Sequence, residues 1–395
     1  MSEAASFMGY LRPDGRVGVR NHVAVVSAMD NVNPVARRIA AAVPGSVPVC
    51  VAYGRGMVGG DRERHDQVLI NYGKHPNVAA TLVVGLEPVT AQRYAQAIAE
   101  AGKPVQWIAV QSVGGTAAAV RQGSAIVQAM VDDASRLERQ PASVDVLVVG
   151  LECGASDATS GLTANATVGE VADWIVAAGG TAILSETEEI IGAEHLLADR
   201  AATPAIRQQL LDVVANAEAQ ARFQGVQIVP LGEDNILGGL STMEEKSMGA
   251  VRKGGTSPLM EVIAYGDVPR AQGLVYMDAP APGVENIAAL AASGAQMILF
   301  STGVGNPIGH PLVPTIKLTG NPATAQTFAD NIDVDVGGIV RGSYGLADAA
   351  AIVRKALLAT ACGELTRSEQ LGDLEISISR VDVGYLRRRA LGEVF

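Results

Sequence analysis

The sequence predicts an α/β protein with two Rossmann-like domains and mostly parallel sheets, the second domain larger and carrying long Gly-rich loops. Three observations support this. Short β-branched runs alternate with Ala-rich amphipathic stretches almost from end to end. The 395 residues exceed the ~100–200 of a typical domain, and 48 % of them are hydrophobic against 18 % charged, enough to bury a large core. The polar, Pro-containing stretch at 136–143 separates two such series and sets the expected domains at 1–140 and 141–395.

In the first series, residues 22–28, 47–52, 80–87 and 105–111 read as buried strands. Residues 34–42, 62–72, 90–101 and 116–137 between them have helical apolar spacing. In the second, strands are expected at 144–151, 181–185, 273–278, 296–301 and 313–318. Helices are expected at 168–178, 205–223, 243–252, 284–292 and 347–361. Parallel strands need crossover helices, and the crossovers leave loops at the strands' carboxyl ends, where ligands bind.

Composition excludes several classes. A net charge of −11 argues against nucleic acid as the partner. No apolar run reaches the ~18–20 residues of a membrane span. The first sixteen residues do not read as a secretory signal, so a cytoplasmic protein is expected. Three cysteines, Cys50, Cys153 and Cys362, are too few for a disulfide framework. Gly54–Gly59 fits G-x-G-x-x-G, but the charged helix start behind it and the lack of an acidic ribose ligand after Glu87 argue against NAD.

Four clusters at expected strand ends can carry chemistry. The first holds Glu152, Cys153, Ser156, Asp157 and Asn165, a pocket for substrate or metal, with capping of the next helix by Ser156 or Asp157 as the alternative. The second holds Glu186, Glu188, Glu189, Glu194 and His195, an oxygen-rich set with an imidazole that suits Mg, Mn or Fe(II). A solvated acidic helix start explains Glu188 and Glu189 without function. In the third, Ser241 or Thr242 is a helix N-cap with Glu244 or Glu245 as its box partner, and Lys246 lies one turn on. A surface charge or a buried base are both open for that lysine. The fourth runs from Ser301 and Thr302 through a Gly-rich loop to Lys317. Arg12, Arg16, Arg20 and Arg55 are either anion-binding forks or surface charges.

The segments GYLRPDGRVGVRNH (9–22), LECGASDATSGLTAN (151–165), ILSETEEIIGAEHLL (183–197) and GGLSTMEEKSMGAVRKGGTSPL (238–259) resemble the altronate and galactarate dehydratase family, as do GLVYMDAP (273–280) and VPTIKLTGN (313–321). The resemblance covers nearly the whole chain. AYGR (52–55), HPNVAA (75–80), VVGLEP (83–88) and NIDVDVGGI (331–339) resemble the branch of the sulfolactate sulfo-lyase large subunit. The sugar-acid dehydratases carry extra first-domain cysteines that are missing here. The resemblance implies a lyase that removes the C2 proton of a 2-hydroxy acid and expels a group from C3, yielding a 2-keto acid. It implies a divalent metal, Fe(II) first and Mn or Mg otherwise, on Glu186, Glu194 and His195. Lys246 or His195 would be the base; Arg20, Arg55 and Lys317 would hold anionic ends of the substrate. Cys153, Ser156, Asp157, Asn165 and Thr302 would line the substrate. It also implies a separately encoded small SAF-type subunit and an oligomer. A sugar-acid dehydratase and a non-catalytic binding paralogue are the rival expectations.

Overall fold

The computed structural model describes residues 5–380 except 224, 226, 227, 229 and 230. It is a mixed α/β structure whose two larger sheets are wholly parallel. The smaller of these orders its strands Ser46–Val49, His22–Ser27, Val78–Gly85, Val105–Ala109. Alternation along His22–Ser27 shows why both faces are covered: Val23 and Val25 join one apolar cluster with Ile39 and Val127, while Ala24 and Val26 join another with Leu69 and Tyr94. Glu87 is spent on architecture. It caps the helix Pro88–Ala99, accepting from the amides of Val89 (2.6 Å) and Thr90 (3.0 Å).

The larger sheet orders Leu259–Ile263, Gly273–Met277, Thr181–Leu184, Val148–Cys153, Met297–Ser301, Thr315–Thr319, Val334–Asp335. The sheet starts at Val148–Cys153, adds Thr181–Leu184 beside it, lays Leu259–Ile263 at the edge and fills the gap with Gly273–Met277, then crosses to Met297–Ser301 on the other side. Val148–Cys153 therefore ends at a topological switch point, the place where open α/β sheets bind ligands. The helix Gly283–Ala292 packs against Gly59–Lys74 from the first sheet, so a single apolar cluster joins the two sheets. In it the Tyr72 hydroxyl donates to the Ala288 carbonyl at 2.8 Å.

A third, antiparallel sheet joins Val17–Gly18, Ser6–Leu11 and Gln140–Ser143. The stretch read as a polar linker is thus pinned. Arg139 donates to the carbonyls of Met8 (2.6 Å), Ala361 (2.9 Å) and Val19 (2.9 Å). Pro141 is tolerated because this is an edge strand. The arginines of the opening segment are structural too. Arg12 donates to the carbonyls of Pro76 and Arg20, and Arg20 forms a two-pronged pair with Glu369 (2.8 and 2.9 Å) while bonding the carbonyls of Thr360 and Glu364. Buried with its donors spent, Arg20 is a clasp for residues 360–369 and not a substrate ligand.

Candidate active site

The switch-point strand delivers Glu152 and Cys153, which point to opposite faces of the sheet. The neighbouring strand Thr181–Leu184 runs into Ser185, held by Asn286 at 2.8 Å, and then Glu186. Glu186 adopts φ 73°, a left-handed conformation costly for a residue with a Cβ. That twist starts a 3₁₀ turn, Thr187–Ile190, which turns Glu189 inward. Beside that turn, Thr242 caps the helix Met243–Val251 by accepting from the Glu245 amide (3.1 Å), and Glu245 reaches back to the Ser241 amide (3.0 Å). This helix brings Lys246, and the turn Arg252–Gly254 brings Lys253.

The side chains meet in two linked pairs. Cys153 Sγ donates to Glu189 Oε2 at 3.1 Å, and Lys246 Nζ lies 2.9 Å from Glu189 Oε1. Lys253 Nζ donates to Glu186 Oε2, whose other oxygen accepts from the Cys153 amide at 3.3 Å. Lys246 also reaches Ser156 Oγ at 3.4 Å. All five of Cys153, Glu186, Glu189, Lys246 and Lys253 are buried. Charges in such a place are retained only when paired. Burial alone would lower the Lys246 pKa, but the Glu189 carboxylate, with Cys153, outweighs it and holds the ammonium above its ordinary value. Burial pushes the Cys153 thiol up, and Glu189 adds to this.

Ligand atoms of Cys153, Glu186 and Glu189 all lie within 4.8 Å of one another, so this buried group can bind a metal. Both carboxyl oxygens of fully buried Glu152 lack a hydrogen-bond partner among the described residues, and burial raises that carboxyl well above its usual range. Burial without a donor keeps this carboxyl in its neutral form, beside but outside the metal-capable group.

The loops around this group are knitted by the other polar residues expected there. Asn165 accepts from Ser301 Oγ (2.5 Å) and donates to the Gly249 carbonyl (2.9 Å). Asp157 caps no helix; it closes its own turn through Thr159 and Ser160 and accepts from Asn321 at 2.7 Å. Thr302 Oγ1 accepts from the Gly305 amide. These residues shape the loops.

Four expected residues lie elsewhere. Glu194 opens the short helix Glu194–Ala198 and spends Oε2 on the Gly192 amide (2.6 Å), and His195 is exposed beside it. The metal-capable set therefore contains Glu186 with Cys153 and Glu189, and not Glu194 and His195. Arg55 is exposed in the loop after Ser46–Val49. Lys317 is buried two strands from Cys153, its Nζ 5.9 Å from the Phe300 ring centre and without a hydrogen-bond partner among the described residues, and burial lowers its pKa to about 8. Sequence reasoning placed Glu152 and Glu189 in the polar clusters but gave neither a role, and it left Lys253 without one. Glu189 had a signal: Ile190 and Ile191 follow it directly, so its turn had to face the interior.

Comparison with known proteins gives the family. Residues 144–383 match the model of the D-galactarate/altronate dehydratase C-terminal domain, and residues 9–135 that of the second domain of D-galactarate dehydratase/altronate hydrolase. The chain belongs to the galactarate/altronate dehydratase family. Within the family it is 37 % identical over 380 residues to the (2R)-sulfolactate sulfo-lyase subunit beta of Chromohalobacter salexigens, covering 95 % of this chain and 97 % of that protein. It is 33 % identical to the altronate dehydratase of Bacillus subtilis, over 85 % of this chain and 70 % of that enzyme. Galactarate dehydratase (L-threo-forming) of Escherichia coli matches at 34 % over 52 % of this chain and 39 % of its own length.

Proposed function

We propose that this family member is the large subunit of a lyase that acts on 3-sulfolactate. The C2 proton is removed, the C3–S bond breaks, and the electron pair leaves on sulfite. The resulting enol takes a proton at C3 to become pyruvate. The match with a sulfo-lyase subunit beta carries this reading, at 37 % identity over 95 % of this chain against 33 % over 85 % for the altronate dehydratase.

Removing a proton beside an ionised carboxylate gathers two negative charges on one fragment, so the site must oppose them. A divalent ion, Fe(II) in our reading, on Cys153, Glu186 and Glu189 would supply Lewis-acid charge to the substrate's carboxylate and 2-hydroxyl. Lys246 and Lys253 supply fixed positive charge to the same place. Held cationic by Glu189, Lys246 acts as an electrostatic partner of the charge that develops as the C2 proton leaves. Ser156, Asn165 and Thr302 set the loops that confine the substrate. The name of the sulfo-lyase relative supports a second, small subunit, which we take to be SAF-type. In our reading the assembly is oligomeric and cytoplasmic, and the chain divides into two domains near residue 140.

Purified chain, with and without that subunit, is to be assayed anaerobically with Fe(II) for pyruvate and sulfite release. Stoichiometric release from 3-sulfolactate is expected; none, alongside turnover of altronate, would replace this reading with sugar-acid dehydration, which the 33 % identity to altronate dehydratases supports.

A further inference from the structure

Between Val251 and Leu259, Lys253 is the one buried side chain. A buried ammonium does not hold its own turn in place, because its desolvation is offset only when its partner meets it in good geometry. The turn Arg252–Gly254 is aimed at Glu186 from outside. The helix Ala164–Ala177 does this with one stripe of residues. Asn165, Gly169 and Asp173 stand four positions apart and share a face. Each meets the same passing segment further along. Asn165 Nδ2 donates to the Gly249 carbonyl (2.9 Å), and the bare Cα of Gly169 lets the Arg252 carbonyl and Gly255 lie close. Asp173 takes the far end of the segment.

The Asp173 carboxylate accepts from the amides of Thr256 (2.8 Å) and Ser257 (2.8 Å) and from both of their hydroxyls. From the other side, Arg200 Nη1 donates to the Gly255 carbonyl. The peptide that joins Gly255 to Thr256 is thus held at its oxygen by Arg200 and at its N–H by Asp173. It lies two residues beyond Lys253. Gly255 has φ 58°, and a Cβ there would stand 2.5 Å from the Asp173 carboxyl carbon. Only glycine lets the carboxylate close on the turn.

We propose that Asp173 is a positioning residue for Lys253. It sets the turn so that the ammonium meets Glu186 Oε2, and this in turn keeps the other Glu186 oxygen on the Cys153 amide. Asp173 is itself half-buried, spends its hydrogen bonds on the turn, and acts on the buried group through Lys253 alone. A consequence for turnover rests on the proposed lyase reading; the hold on Glu186 does not. A carboxylate serving only to start the strand Leu259–Ile263 would accept from the same amides, so the distinguishing signal lies at Cys153 and not at the turn.

The test combines amide hydrogen exchange, read by mass spectrometry, with pyruvate release from 3-sulfolactate. Wild type, D173A and D173N are compared, each well below its melting midpoint. D173A is expected to speed exchange about 10-fold in the peptide carrying Cys153 as well as at 252–257. Its kcat should fall about 10–100-fold while KM stays within about 2-fold, the mark of a misplaced group and not of lost binding. D173N keeps one acceptor oxygen for the two amides and should recover part of both effects. Exchange at Cys153 equal to wild type in D173A overturns the proposal, whatever happens at 252–259. Unchanged kcat beside faster exchange at Cys153 overturns the link to turnover. If D173A fails to fold, D173N decides by the same two readings. Wild type that releases no pyruvate refutes the sulfo-lyase reading, while exchange at Cys153 still judges Asp173.

Discussion

Removing the charge of Glu186 leaves Lys253 as an uncompensated buried cation. E186Q is therefore expected to cost about 3–5 kcal/mol in denaturant unfolding, and E186Q/K253M to recover much of that stability without recovering activity. K246A should lose at least ~100-fold in kcat, whereas H195A should stay within about 2-fold, because the exposed imidazole touches nothing in the buried group. Lys317 has a pH signature. Its pKa falls from 10.5 unfolded to about 8 folded, so the unfolded state binds the proton first as pH drops. Wild-type stability should decline between pH 10.5 and 8 and then level off, by about 3 kcal/mol in all, and K317M should abolish the slope. These residues also show what sequence could convey. Glu186, Lys246 and Cys153 stood out because they sit in polar clusters at strand ends. Lys253 did not, since its partner lies 67 positions away and only the fold brings them together. His195 misled for the opposite reason: a neighbour in sequence to the site's turn, it occupies the outer side of the next helix.

At the level of elements, close approach is as important as charge. A Cβ on Gly169, in the helix Ala164–Ala177, would stand 2.2 Å from the Arg252 carbonyl oxygen. Only glycine lets this helix lie against the turn that carries Lys253. G169A should push that turn outward, costing about 1–3 kcal/mol in stability and lowering kcat beyond what the stability loss explains, as checked by melting and turnover on one sample. Alternating strands and helices were readable because each buries its own periodic face, and the observed bounds of the expected elements fall within a few residues of expectation. The antiparallel sheet was not. Ser6–Leu11 and Gln140–Ser143 are short, one contains Pro141, and neither shows a pattern until it meets the other. Leu259–Ile263 escaped notice as a half-exposed edge strand.

Across the whole molecule, the shared cluster through Tyr72, Ile287 and Ala288 makes the two parallel sheets interdependent. The two tryptophans, Trp107 beside the smaller sheet's edge and Trp174 on a helix of the larger, report separately on each. Thermal unfolding followed in W107F and in W174F should give coincident midpoints, and two separated transitions would show that the halves melt apart.

The arginine clasp also imposes an order on biosynthesis. The carbonyls that Arg20 and Arg139 grip, at Thr360, Ala361 and Glu364, are translated near the end of the chain. At ~5–20 residues per second, the nascent amino-terminal ribbon waits tens of seconds on the ribosome before its anchor exists. Truncated translation products should accordingly expose Ser6–Leu11 to protease, and full-length ones should shield it.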